Sequence, residues 1–120
     1  MDIWIFTQDL PGCPGAVAVP KAPVGAGATL RVHITGVAGV PANATAVVLN
    51  LTADGATRPT YVTAWPTGQT RPGTSTLNVH SAAPVPNLAI VPIGTGGTID
   101  LYNIAGNVNL LGDISGYFAP

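Results

Sequence analysis

The side chains available for acid–base, nucleophilic or metal chemistry are few. They are Asp2, Asp9, Asp54, Asp100, Asp113, His33, His80 and Cys13, with no Glu anywhere in the chain. Catalysis by paired carboxylates needs two acids at a controlled separation, and no two of these aspartates are neighbours in a motif. Asp54 precedes Gly55 and reads as a turn residue. Asp113 follows Gly112 between apolar residues, where it would accept backbone N–H groups or pair with Arg31 or Arg71. A nucleophile needs a base and an orienting group. His80 adjoins Ser81, but adjacent strand residues point to opposite faces, and Cys13 sits in a Pro/Gly loop with no flanking His. The two histidines lie on separate segments without a short ligand spacing, and a single cysteine excludes both a Cys-rich zinc site and an internal disulfide. The expectation is a non-enzyme with no catalytic residues, no metal and no cofactor.

What is left is recognition. Gly94-Thr-Gly-Gly lies between apolar strands and reads as a hairpin turn, not as a strand-to-helix phosphate loop. Asn43-Ala-Thr and Asn50-Leu-Thr match glycosylation acceptors, but Asn50 falls inside a strand and neither is read as modified. Sugars stack on aromatic faces while amides and guanidinium groups make the polar contacts. Trp65, Tyr61, Arg71 and Asn78 gather around one Pro/Gly turn and are the candidate sugar contacts. The plainer alternative is that Trp65 anchors the core and Arg71 pairs with an aspartate.

The elements that would position these residues are strands. Period-2 alternation recurs between Gly, Pro, Asn and Asp punctuation, as short half-buried strands require. In Ala28–Thr35, Leu30, Val32 and Ile34 face one way, with Thr29, Arg31, His33 and Thr35 on the other. Thr45–Ala53 sets Val47, Leu49 and Leu51 against Val48, Asn50 and Thr52. Thr60–Trp65 sets Tyr61, Thr63 and Trp65 against Val62 and Ala64. Further strands are expected at Asp2–Phe6, Thr76–His80, Leu88–Ile93, Thr98–Asn103, Asn107–Leu110 and Ile114–Phe118. Leu88–Ile93 is apolar on both faces and reads as central, although Pro92 within it points to an edge or a bulge. Thr98–Asn103 buries Ile99 and Leu101 and exposes Asp100 and Tyr102, or leaves that ring at a sheet rim.

The breaks at Gly36–Pro41, Asp54-Gly55, Pro66–Pro72, Ala83–Pro86, Gly94–Gly97 and Ala105-Gly106 turn the chain. About eight or nine short strands at this spacing predict an all-β fold, an antiparallel β-sandwich of jelly-roll-like type, with a small barrel as the alternative. Residues 1–23 are read as an N-terminal strand and an irregular arm, and residues 24–120 as the sandwich module. The arm's strand pairs within its own sheet or, alternatively, adds to another chain.

Composition narrows the partners. The 120 residues include 15 Gly and 12 Pro, are 47% hydrophobic and only 8% charged, and carry a formal net charge of −1. Binding nucleic acid needs a Lys/Arg stripe that 4 basic residues do not supply. A helical bundle is excluded by the scarcity of helix formers, with one Lys, two Gln and no Glu. No apolar run approaches the ~20 residues of a membrane helix. The opening residues Met1 to Phe6 lack the basic and apolar regions of a signal peptide. Met1 is therefore read as a native start, or alternatively the module is a piece of a longer exported chain. So few charges on so apolar a chain suggest a surface covered by copies or partners.

From Val24 onward six ordered blocks carry a resemblance. They are Ala28 to Ala53 (ATLRVHITGVAGVPANATAVVLNLTA), Tyr61 to Gln69 (YVTAWPTGQ) with Arg71-Pro, Ser75-Thr-Leu-Asn, Pro86 to Gly94 (PNLAIVPIG), Leu101 to Gly106 (LYNIAG) and Leu111 to Phe118 (LGDISGYF). Residues 24–119 resemble an all-β accessory module of secreted and cell-wall-associated proteins of high-GC Gram-positive bacteria, found also in virion proteins of their phages. Residues 1–23 depart from that pattern, which opens with an Asp-Thr-Arg segment. The resemblance implies an accessory or display role and supplies no catalytic residues. The expected function is a structural display protein docked on a larger assembly, best matched by a phage virion surface as a head decoration or tail-associated protein. Its partners would be copies of itself, a capsid protein or a tail protein. The alternative is a carbohydrate- or cell-wall-binding module of an extracellular protein, with a cell-surface glycan as ligand.

Overall fold

The computed structural model describes residues 3–7, 17–18, 23–36 and 39–120. Cys13, Asp2 and Asp9, and most of the irregular arm, lie outside these residues. The described strands are β1 (Ile3–Thr7), β2 (Val17–Ala18), β3 (Ala28–His33), β4 (Ala46–Asp54), β5 (Thr60–Pro66), β6 (Leu77–Val79), β7 (Val85–Pro92), β8 (Thr98–Asn103) and β9 (Asn109–Phe118). The protein is thus nearly all β, and its strands form two sheets. A five-stranded sheet has the order β2-β1-β9-β4-β7, and a four-stranded sheet has the order β3-β8-β5-β6. Every pairing is antiparallel except that of β1 with β9. From β3 onward the chain changes sheet at each connection but one, the β5–β6 link.

Alternation places the core between the sheets. In β4, Val47, Leu49, Leu51 and Ala53 are buried while Val48, Asn50 and Thr52 are half-buried on the other side. They meet Val62, Leu77, Val79, Ile99 and Leu101 from the four-stranded sheet, and Leu110 and Ile114 complete the layer. Among the described residues the one buried amide on this inner side is Asn103. Its Nδ2 donates to the carbonyls of Val24 (2.9 Å), Gly106 (3.0 Å) and Gly25 (3.3 Å), and its Oδ1 accepts from Thr60 Oγ1 (2.5 Å). Asn103 therefore gives the Gly106 carbonyl a donor and the Val24 and Gly25 carbonyls a second one, beside the N–H groups of Val108 and Ala28.

Four expectations need correction. Asn107–Leu110 and Ile114–Phe118 are not separate strands. Gly112 does not break β9, which runs through it, and Ser115 is the extra residue of a bulge, since Leu49 pairs with Ile114 and Val48 with Gly116. Leu88–Ile93 is not central. It belongs to β7, the last strand of its sheet, and Leu88 and Ile90 are 61% and 60% exposed. Pro92 was the better guide, because a missing N–H is tolerated where no neighbour needs it. Gly94–Gly97 is not a hairpin turn but a crossover between sheets, with a single 3₁₀ turn at Thr95–Gly97. Asp100 and Tyr102 are not exposed but buried, because residues 67–76 fold over the outer side of β8 and β5.

Candidate functional site

The sandwich has two outer faces of unlike chemistry. On the four-stranded sheet, register puts Tyr61, Thr63 and Trp65 of β5 beside Asn78, Tyr102 and Asp100, with Thr29, Arg31 and His33 of β3 completing the same side. The 67–76 loop leaves β5, crosses to β8 and returns to β6. Thr67 Oγ1 donates to Asp100 Oδ1 at 2.9 Å, and Trp65 Nε1 donates to the Gln69 carbonyl at 3.1 Å. On the return leg Thr63 Oγ1 donates to the Thr74 carbonyl, and the Ala64 N–H to Thr76 Oγ1, both at 2.9 Å. Trp65 is therefore only 6% exposed, yet it lies outside the inter-sheet core, in a second small apolar site beneath the loop.

Arg71 is the tip of that loop. Its guanidinium carbon stands 3.8 Å from the centroid of the Tyr102 ring, a stacking distance for a cation on an aromatic face. Next to it, Arg31 Nε donates to Asp100 Oδ1 at 3.0 Å and Nη2 reaches Oδ2 at 3.4 Å. The arrangement is layered: the Asp100 side chain is 7% exposed and the Arg31 side chain 64%. The hydrogen bond to Asp100, reinforced by its charge, holds the Arg31 guanidinium above its ordinary range.

The structure brings the four candidate sugar contacts to one outer face without making them a platform. Trp65 is sealed. Tyr61 is half-buried, Asn78 is exposed and accepts from Ser75 Oγ at 2.8 Å, and Arg71 is exposed above Tyr102. Among the described residues Arg71 pairs with no aspartate, and Arg31 pairs with Asp100 rather than Asp113. His33 and His80 are both exposed on different strands or their ends. Among the described residues no three His, Cys, Asp or Glu side chains converge on a metal position, and no helix is long and apolar enough to cross a membrane.

The other outer face, on the five-stranded sheet, is apolar. Ile90 lies opposite Val48, which faces Gly116, and Pro92 lies opposite Ala46, which faces Phe118. Leu88 and Ile90 are joined there by Phe118, 52% exposed. Asn50, Thr52 and Asp113 limit the patch toward its far end. The free edge beside it is blunted against strand addition. Ile93 N–H donates inward to the Thr45 carbonyl, so the even-numbered residues of β7 point their N–H groups outward. Two of those positions, Pro86 and Pro92, have none to offer.

Sequence reasoning missed the Arg31–Asp100–Thr67 cluster and the Tyr102 seat of Arg71. Alternation did put Arg31 and Asp100 on outward faces, but nothing local links residues so far apart in the chain. What the structure defines is a two-sheet β-sandwich with one apolar outer face and one arginine-bearing outer face. No family model, curated protein or solved structure matches this chain.

Proposed function

We propose that the chain is a non-enzymatic structural or display protein that docks on a larger assembly, best matched by a phage virion surface as a head decoration or tail-associated protein. The observation that carries this reading is the outer face of β7, β4 and β9. Leu88, Ile90 and Phe118 stand there in solvent beside Val48 and Pro92, and contiguous apolar patches of this kind mark contact surfaces. The occupant is a second copy of the chain. Among the described residues the patch is free of charge except at its Asp113 end, so copies meet there without repulsion, and it offers no charge pattern that would select an unlike partner. Pro86 and Pro92 blunt the edge, which favours face-on contact. The oligomer so formed is the unit that sits on a capsid or tail protein. The strand order β9-β4-β7 within β2-β1-β9-β4-β7, over β3-β8-β5-β6, supports the jelly-roll-like reading of the sandwich, from which the parallel β1–β9 pair departs; that architecture is used by capsid and lectin domains alike.

The test is the native mass of the purified chain. Sedimentation is expected to give an oligomer burying at least ~1,000 Å². The double variant Leu88→Asp with Ile90→Asp is expected to run as a folded monomer by far-UV circular dichroism, with a melting midpoint lowered by the stabilisation that association had supplied. A wild-type chain that stays monomeric at high concentration defeats the reading. The alternative, a carbohydrate- or cell-wall-binding accessory module, loses Trp65 as a stacking surface but keeps Tyr61, Arg71 and Asn78 on a single face.

A further inference from the structure

We infer that the outer face of the four-stranded sheet is a binding site for an acidic glycan, with Arg71 and Arg31 as the groups that meet its anionic substituents. The argument begins with how each guanidinium is held. A guanidinium stacked on an aromatic ring keeps its N–H groups in the ring-parallel plane, directed sideways and free to bond a carboxylate or phosphate as a fork. Arg71 lies over the Tyr102 ring at a distance that fits such stacking and, among the described residues, makes no hydrogen bond. The loop that carries it is tied down on both sides of its tip, by Thr67 to Asp100 and by Thr74 to Thr63, so the group is pre-positioned and costs little to order on binding.

Arg31 is the second fixed group. Thr29 and Arg31 of β3 sit opposite Tyr102 and Asp100 of β8. Arg31 is thus the diagonal strand neighbour of Tyr102, the residue whose ring carries Arg71, so the two arginines occupy adjacent places on one face. Asp100 aligns Arg31 from below and the pair is close to neutral, so Arg31 contributes positioned donors there while the uncompensated positive charge is that of Arg71. The loop stops at Tyr102 and leaves β3 uncovered, with Thr29, Arg31 and His33 all exposed. The result is a shelf whose floor is β3 and whose wall is the Arg71 tip.

This geometry selects a ligand class. Two guanidinium groups at adjacent places on one face suit anions repeated along a polymer. Thr29 and half-buried Tyr61 offer hydroxyls for a hydroxyl-rich chain. Nucleic acid is disfavoured by the lack of any longer basic stripe. The hydroxyls of a neutral sugar would accept from Arg71 without the charge assistance that an anion gives. The inference does not rest on the docking face, which lies on the other side of the sandwich.

The experiment is affinity electrophoresis and titration calorimetry of the full chain against three probes: a polyuronate, a poly(glycerol phosphate) and a neutral glucan. Binding to one or both acidic polymers is expected, with none to the glucan, and the two acidic arms tell carboxylate from phosphate. Affinity should fall as salt rises from ~50 to ~300 mM, since exposed ion pairs are screened. Arg71→Ala is expected to weaken binding by about tenfold or more, the value of one charge-assisted bond. That residue is exposed and makes no hydrogen bond, so the variant should fold. Arg71→Lys keeps the charge but not the fork and should fall between. Equal binding to the glucan, no binding to either acidic polymer, or an Arg71→Ala chain that binds as wild type overturns the inference. None of these results bears on the oligomeric mass that tests the docking face.

Discussion

Replacing Trp65 asks whether the 67–76 loop is held by apolar burial or by hydrogen bonds. The indole is buried outside the main core, and its Nε1–H donates to the Gln69 carbonyl at 3.1 Å. Truncating a buried Trp to Ala costs about 3–5 kcal/mol. Here the low end of that range is expected, because the loop can settle onto β5 and reclaim part of the cavity. Trp65→Phe keeps most of the ring and loses one hydrogen bond, worth about 1 kcal/mol. The Gln69 carbonyl is not stranded by that change, since Gln69 is exposed and water can replace the indole. A chain of 120 residues has a total stability of roughly 6–18 kcal/mol, so Trp65→Ala should leave a folded protein with a clearly lower midpoint. Urea unfolding followed by far-UV circular dichroism reads the loss. Amide exchange at Ala64, whose N–H donates to Thr76 Oγ1, should accelerate more than exchange at Leu101 in the centre of β8. A Trp65→Ala cost under ~1 kcal/mol would refute the reasoning, as would a Trp65→Phe cost equal to it, which would make the hydrogen bond rather than the ring the fastener.

Three further outcomes follow from the packing. Asn103→Leu should cost about 1–3 kcal/mol in urea unfolding, because it removes the donor of the Gly106 carbonyl, the second donors of the Val24 and Gly25 carbonyls and the acceptor of Thr60 Oγ1. Gly94→Ala should destabilise by about 1–3 kcal/mol through overpacking, since a Cβ there would overlap the Thr67 backbone, and the same assay applied to Gly96→Ala should show only the ~1–2 kcal/mol cost of a left-handed φ, because the space beside Gly96 is open. Pro86→Thr with Pro92→Thr should restore outward donors on β7 and convert a soluble edge into one that self-associates, visible as time-dependent light scattering and thioflavin binding; a double variant as soluble as wild type would show that the edge is guarded by something else.

Much of the strand plan was open to reading from alternation. β4 and the inner residues of β5 and β8 follow the two-residue period directly, because one side of each strand meets the other sheet. Where both sides are covered, the period misleads. Asp100 and Tyr102 carry the pattern of an exposed side and are buried, because a loop closes over them. The reverse error occurs in β7. Leu88 and Ile90 are as apolar as core residues and stand in solvent, and only the prolines in the same strand betray the edge. The candidate site divides in the same way. Tyr61, Trp65, Arg71 and Asn78 were identifiable as one neighbourhood because they are close in the chain. Tyr102 and the Arg31–Asp100 pair were not, since pairing at a separation of 69 residues depends on which strands become neighbours.

The amino-acid sequence by itself determined the material of the protein. Its side-chain stock makes helices poor and strands good, its Gly and Pro spacing sets where the chain turns, and its few charges leave surface that water alone covers badly. Those properties are local or additive, so they survive without knowledge of the fold. Tertiary structure decided which strand ends each sheet, which aspartate meets Arg31, and that the loop after β5 folds over Trp65 and sets Arg71 on Tyr102. Each of these depends on segments distant in the chain being brought within a few ångströms, and the energy of such a contact exists only once the two sheets have closed on their common core.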